Sequence, residues 1–199
     1  MELKNTPTLF TDRLILRRFH ERDVEAVLRI FSDAKTNLFL PRFPIQTMEE
    51  AKQLYEESFA RKYERKQGYY YAICLKSDDI PIGYIIASLG DAHDFGYALR
   101  SEFWRQGIAS EAGQAVIAQL KQDGIPFITA THDIQNPRSG QVMERLGMRY
   151  CYSYVEQWQP KNQLVTFRMY QLNLDGEADR VYRKYWESYE DHFIEDIEG

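Results

Sequence analysis

The chain has little cysteine and no stretch built to cross a membrane or to coat a polyanion. Cys74 and Cys151 are its only cysteines in 199 residues. They have no metal-ligand spacing and make no disulfide framework, and thiols this sparse are expected of a reducing cytoplasm. No apolar run reaches about 18 residues, the least a spanning helix needs. The opening MELKNTPTLF lacks the apolar centre of a secretory signal. Bases are not in excess: 25 lysines and arginines face 30 aspartates and glutamates, which argues against general nucleic-acid binding. There is no Gly-Lys-Ser/Thr of a nucleotide-binding loop and no three-glycine dinucleotide fingerprint. Internal repeats and low-complexity stretches are also absent.

What is present suits one α/β domain with a terminal extension, long enough to bury a core without staples. Helical periodicity appears over 21–31, with apolar residues at 24, 27, 28 and 31. Thr47 and Glu50 form a capping box for a second helix. Three β-rich runs follow at 69–75, 82–89 and 93–99, and read as an antiparallel meander. A helix over 107–122 ends at Asp123-Gly124, a short strand follows at 127–131, and a helix over 138–146 stops at Gly147. Two further strands, 148–155 and 164–172, complete the order β-α-α-β-β-β-α-β-α-β-β, where the first β is 14–19. The strand–helix–strand step around Gly107 predicts a right-handed crossover if its strands pair in parallel. Both cysteines fall inside strands and are expected to be inert core residues.

The most informative stretch is Trp104, Arg105, Gln106, Gly107, Ile108, Ala109 and Ser110, which follows a strand and opens a helix. The first N–H groups of a helix have no internal partners, and the helix dipole places partial positive charge beside them. Gly107 and Ala109 let a ligand approach the backbone closely, so the turn suits a pyrophosphate. The dipole supplies only about 0.3–1 kcal/mol, up to ~2 when partly buried. The N–H array itself must do most of the binding.

With that loop in place the chain resembles the GNAT superfamily of acetyltransferases, and within it the ribosomal-protein-alanine N-acetyltransferases. The similarity rests on four segments in the family's order. These are Thr11-Asp12-Arg13-Leu14-Ile15-Leu16-Arg17, Gly96-Tyr97-Ala98-Leu99, the loop from Trp104 to Ala109, and Asn136-Pro137-Arg138-Ser139 with its following helix. The loop fits the family's Q/R-x-x-G-x-G/A pattern except at its first position, which is tryptophan here. The resemblance spans about residues 8–172 and implies a three-layer α/β fold with a mixed, mostly antiparallel sheet flanked by helices. It implies acetyl-CoA as co-substrate and no metal. The N–H groups of residues 105–110 would hold the pyrophosphate. The strand edge at Tyr97, Ala98 and Leu99 would pair with pantetheine, Asn136 would hydrogen-bond the pantetheine arm, and Ser139 would lie near the sulfur.

Direct acetyl transfer to an amine needs no protein nucleophile. It needs a placed neutral amine, stabilisation of the charge that develops on the thioester oxygen, and a route for one proton. At pH 7 about a tenth of an α-amino group is already neutral, whereas a lysine or polyamine nitrogen costs about 4.6 kcal/mol to deprotonate. Candidates for the base are His132, Asp133, His93, Asp94 and Glu102, each otherwise read as a solvated loop residue or a structural hydrogen bond. His132 is the first choice because histidine titrates near working pH. Ser139 is the candidate for protonating or hydrogen-bonding the departing sulfur. The expected acceptor is a protein N-terminus, with a polyamine or an aminoglycoside as the alternative. A coenzyme-binding module without turnover, or a structural partner of ribosomes, would share the same sequence features.

Residues 176–199 form a segment apart. Eight acids against three bases there account for the whole net charge of −5. Tyr182, Tyr185, Trp186, Tyr189, Phe193 and Ile197 recur every three or four residues and predict a helix with an aromatic face and an acidic back. That face suits packing on the domain (1–175) or on a second copy in a homodimer, and the acids could border an acceptor pocket and attract a cation.

Overall fold

A computed structural model describes residues 4–197. Five strands build a first, wholly antiparallel sheet in the order β1 (Leu9–Phe10), β2 (Leu14–Arg17), β3 (Tyr69–Leu75), β4 (Pro81–Ala87) and β5 (Phe95–Leu99). Between β2 and β3 the chain makes α1 (Val24–Ser32), α2 (Ala34–Asn37), α3 (Met48–Tyr55) and, after a wide π turn at Glu56–Ala60, α4 (Arg61–Tyr63). The Thr47–Glu50 capping box forms as the sequence predicts: Thr47 Oγ1 accepts from the Glu50 N–H at 3.2 Å, and Glu50 accepts from the Thr47 N–H at 2.9 Å.

After β5 come α5 (Ile108–Gln122), β6 (Phe127–Asp133), α6 (Pro137–Arg145), β7 (Arg149–Trp158) and β8 (Gln163–Asn173). The chain then adds α7 (Lys184–Ser188) and β9 (His192–Phe193). The second sheet runs β6-β8-β7-β9, again antiparallel. Among the described residues the backbones of the two sheets are bridged at one step, the parallel bridge between Asp94 and Thr129, where Thr129 N–H donates to the His93 carbonyl at 3.3 Å. Beyond it β5 and β6 part, so the expected parallel pairing is confined to a single step. Strand β5 also starts two residues later than its β-rich run suggests, because His93 closes a turn onto Gly90 with a left-handed φ of 45°.

Alternation along the strands sorts the side chains into three cores. Leu14, Leu16, Phe95 and Leu99 of the first sheet and Ile128 and Ala130 of the second pack with Ile108, Val116 and Met143 of α5 and α6. The opposite face of the first sheet, with Ala72 and Cys74, lies under Val27, Ile30, Phe31 and Phe59. The opposite face of the second sheet, with Tyr152, Tyr154, Phe167 and Met169, is covered by Tyr182, Tyr185, Trp186 and Tyr189.

The C-terminal segment therefore departs from the single helix its periodicity predicts. Among its described residues only Lys184–Ser188 is helical, and Phe193 pairs with Ser153 across the edge of β7. A flat sheet face and an unpaired strand edge both need cover, and a short helix followed by a strand supplies both. The acids are not all a solvated back: Glu195 forms an ion pair with Arg168 at 2.5 Å. Glu198 lies outside the described residues. Cys74 is fully buried as expected, but Cys151 sits half-buried at a bulge in β7. Burial pushes its thiol up to about 11, so it stays protonated.

Arg17 ties the first sheet to α1. Its guanidinium meets Asp23 at 2.7 Å and Asp79 at 2.7 Å, with both Arg17 and Asp23 buried. Removing one partner of a buried pair strands the other's charge. Arg17→Met should lower stability by about 3–5 kcal/mol in urea denaturation. A loss under ~1 kcal/mol, the level of an exposed pair, would contradict this role.

Candidate active site

The turn before α5 opens toward the gap between the sheets. Arg105 and Gly107 both take left-handed φ values, 61° and 75°, and the left-handed Gly107 is the N-cap of α5. Among the described residues, no hydrogen bond engages the N–H groups of Arg105, Gln106, Gly107, Ile108, Ala109 or Ser110. Six donors left unpaired around one helix start, in the positive end of its dipole, make an anion cradle.

The cradle is held from outside by a clamp that sequence reasoning missed. Glu111, in the first turn of α5, accepts from Thr11 Oγ1 at 2.5 Å, from the Arg13 N–H at 3.0 Å and from Arg13 Nε at 2.7 Å. Arg13 Nη1 also donates to the Gln106 carbonyl at 2.9 Å. Partial burial opposes the Glu111 charge, but these bonds outweigh it and hold its carboxyl below the usual range. Thr11 and Arg13 belong to the opening motif, nearly a hundred positions from Glu111 in the chain, so nothing local signals the contact.

The free edge of β5 continues from the cradle. Ser88 N–H bonds the Asp94 carbonyl and Arg100 N–H bonds the Ile82 carbonyl. With Ile85 opposite Tyr97, this register turns the even-numbered backbone groups toward β4. The C=O of Phe95, the N–H and C=O of Tyr97 and the N–H of Leu99 therefore face the gap, while the Phe95 N–H belongs to the bridge with Thr129. The Leu99 carbonyl is already spent on Trp104 Nε1 at 2.9 Å and Thr36 Oγ1 at 2.7 Å. Of the expected edge residues, Tyr97 and Leu99 present backbone to the gap, while the Ala98 groups are engaged with β4.

Across the gap stands the start of α6. Asn136 occupies its N-cap position, yet its side chain makes no capping bond and has no hydrogen-bond partner among the described residues. An asparagine there ordinarily caps its own helix, and here that bond is not made. Ser139 is half-buried. Its Oγ lies 3.1 Å from the Tyr97 hydroxyl, which donates to the Ser139 carbonyl at 2.9 Å. Burial holds the Tyr97 phenol well above its ordinary value, so it serves as a neutral hydrogen-bonding group.

The candidate bases scatter. His132 is buried on the α6 side of β6. Its Nδ1 bonds the Asp133 carbonyl at 2.8 Å, and its Nε2 has no partner and lies where a Cβ on Gly140 would come within 2.7 Å. Burial lowers its affinity for a proton. Asp133 is used on the Gln135 N–H at 2.8 Å, and Glu102 pairs with Arg100. His93 packs edge-on against Phe127 at 4.8 Å. Asp94 stands at the bridge where the strands part. It alternates with Phe95, which faces the α5 and α6 core, and so it faces the opposite side of the sheet. Burial pushes its carboxyl up to about 6.

That opposite side is bounded by Tyr84, stacked on Phe31 at 5.2 Å, and by Arg42 over the Phe31 ring at 4.8 Å. Lys161, in the β7–β8 connection, reaches across to the carbonyls of Asn37 and Leu38 at 2.6 and 2.7 Å. The loops of the two sheets thus close over one slot. None of these three side chains carried a sequence signal, because each belongs to the site only through long-range packing.

A diverging pair of strands with a helix-start cradle at one end is an acyl-carrier cleft of the acetyltransferase type. Residues 13–149 match the family model of the acetyltransferase (GNAT) domain, and the chain belongs to that family. It is 29% identical over 143 residues to the uncharacterized N-acetyltransferase YnaD of Bacillus subtilis, covering 70% of this chain and 81% of that protein. An acetyltransferase (GNAT family) of Bacillus anthracis superposes with a TM-score of 0.73 at 23% identity, over 85% of this chain and 99% of the other. A ribosomal L7/L12 alpha-N-protein acetyltransferase solved with coenzyme A superposes with a TM-score of 0.74 at 19% identity, over 86% and 100%.

A Cβ at residue 107 has room, its nearest neighbour being Arg13 at 3.6 Å, so the constraint there is the left-handed backbone. Gly107→Ala should cost about 1–2 kcal/mol of strain and weaken coenzyme A binding in calorimetry by up to roughly tenfold, with unfolding still cooperative. Unchanged affinity would mean that the left-handed turn does not shape the cradle.

Proposed function

We propose that the chain acetylates a primary amine with acetyl-CoA as donor, by direct attack within a ternary complex, and that the amine is the α-amino group of a peptide or protein. The observation that carries this reading is the row of six unpaired N–H groups leading into the free edge of β5, with the idle Asn136 amide and Ser139 opposite. The cradle binds the pyrophosphate, and the N–H and C=O of Tyr97 pair with pantetheine. Asn136 steadies the arm, and the Ser139–Tyr97 hydroxyl pair receives the sulfur. When bound, the coenzyme supplies the activated acetyl group.

The cradle and α6 occupy one side of the gap, which leaves the Asp94 side for the acceptor. Asp94, not the buried His132, takes the proton. The nitrogen forms its bond to the acetyl carbon as the carbon–sulfur bond breaks. The amine's proton passes to Asp94, and the leaving sulfur takes a hydrogen bond from Ser139. A carboxyl titrating near 6 lies about two units below an α-ammonium and more than four below a lysine ammonium. The weaker demand fits this base.

Release of free thiol against a panel of an alanyl tripeptide amide, spermidine and an aminoglycoside tests the reading. The peptide should give the highest kcat/KM. Coenzyme binding with no thiol release from any amine would leave a binding module instead, and preference for spermidine would move the acceptor to polyamines. Asp94→Asn should lower kcat/KM by about 10²–10³-fold. It should also remove an acidic limb in which the rate falls as pH drops through about 6 and Asp94 is protonated. The same variant should melt higher at neutral pH. A carboxyl whose folded pKa is raised binds its proton more tightly when folded, so its ionisation costs stability as pH rises from about 4 to 6. An Asp94→Asn enzyme with full activity and an unmoved pH profile would remove Asp94 from the mechanism.

A further inference from the structure

The C-terminal extension lies beyond the family match, which ends at residue 149, yet it is fastened to the turn that delivers Asp94. Lys184 Nζ meets Asp91 at 2.7 Å. The next residue, Tyr185, stacks on Tyr154 of β7 at 5.2 Å with the rings 17° from parallel, and Tyr182 meets Tyr185 edge-on at 5.3 Å. Tyr154 also stacks on Tyr189 at 4.8 Å. Its cross-strand neighbour Phe167, 5.6 Å away, stands opposite Asp133 at the end of β6. Tyr182 in turn lies 6.3 Å from Phe127, which packs on His93. The tyrosines of the extension therefore continue the face of β6 that looks into the acceptor side.

Asp94 stands between this wall and Tyr84 of the first sheet. Burial raises the phenols of Tyr84, Tyr182 and Tyr185, and the charge of Asp94 adds to the rise in all three. Nearby acids are neutralised: Asp91 by Lys184 and Glu195 by Arg168. Glu156 acts on the outer part of the wall, at Tyr154 and Tyr189, whereas among Tyr84, Tyr182 and Tyr185 the shared carboxylate is Asp94. One carboxylate among ring faces fits a single ammonium group, because ring faces attract a cation without adding charge.

We propose that Tyr185 is a specificity-determining residue, whose ring forms the extension's wall of the acceptor slot and receives the α-ammonium of a peptide beside Asp94. This rests on the reading of Asp94 as facing the acceptor. The extension thereby gives a widely shared cleft its own acceptor preference, through aromatic rings instead of its acids.

The test is calorimetric binding of an alanyl tripeptide amide to the full chain saturated with coenzyme A. Tyr185→Ala should weaken peptide binding roughly 5- to 20-fold, the size of one half-buried cation–ring contact, with coenzyme affinity unchanged. Tyr185→Phe, which keeps the ring and drops the hydroxyl, should bind as wild type. Trp186→Ala provides the structural control. Trp186 rests on Tyr152 at 5.5 Å and on His192 at 4.0 Å, so its loss should lower the melting temperature without moving peptide affinity. Three results overturn the proposal: no peptide binding by the wild type, wild-type affinity in Tyr185→Ala, or equal losses in Tyr185→Ala and Trp186→Ala. Failure of the broader reading looks different: the wild-type chain then releases no thiol from acetyl-CoA against any amine of the panel, or Asp94→Asn keeps full activity with an unmoved pH profile.

Discussion

The architecture turns on a pair of strands that pair once and then separate. At the Asp94–Thr129 bridge the two sheets share backbone hydrogen bonding, and past it neither β5 nor β6 can satisfy its inner edge with the other. Buried unpaired backbone is expensive, so the gap is stable only if it is wet or filled by a ligand with its own donors and acceptors. An extended amide-bearing chain meets that requirement as a third strand would. Each other feature of the site is a means of holding the gap open at a fixed width. The Glu111 clamp fixes one rim, the helix α6 fixes the far wall, and Lys161 ties the loops of the two sheets together.

The same divergence explains the electrostatics. A carboxyl at the apex of a cleft is desolvated without gaining a cationic partner, and its proton affinity rises. The other acids near the site are handled in the opposite way. Glu111 and Glu195 meet Arg13 and Arg168 and are held low, which suits groups whose task is fixing the cradle and the tail. The carboxyl proposed as the base is thus the raised one, and the two that fasten the cradle and the tail are the lowered ones.

Local features of the sequence were legible and distant ones were not. The cradle could be read because a glycine between a strand and a helix is a local event. The capping box at Thr47 and the stops at Gly124 and Gly147 could be read for the same reason. The division into two sheets could not, since a strand's own residues do not say which edge remains unpaired. The Thr11–Arg13–Glu111 clamp and the Tyr84 and Tyr185 walls depend on contacts between distant parts of the chain. The tail misled for a definite reason: tyrosines at 182, 185 and 189 satisfy a helical period, but they also suit a short helix laid on a sheet with a strand beyond it. Helical spacing records which residues are apolar, and the surface available to cover decides the shape.

At His132 titration range and surroundings point in different directions. As a histidine near the cleft it invites a proton-transfer role, but burial depresses its proton affinity and its Nε2 abuts the backbone at Gly140. Its Nδ1 lies against a carbonyl, which cannot donate, so Nδ1 carries the hydrogen in the neutral ring. A neutral, wedged imidazole sets the separation of α6 from β6. Ser139 precedes Gly140 on that helix, and its hydroxyl must reach the Tyr97 hydroxyl across the gap. A larger residue at 140 would lift the helix, and a smaller one at 132 would let it sink. The close contact of His132 with a glycine that has no side chain therefore spaces α6 from β6, and with it the Ser139–Tyr97 pair.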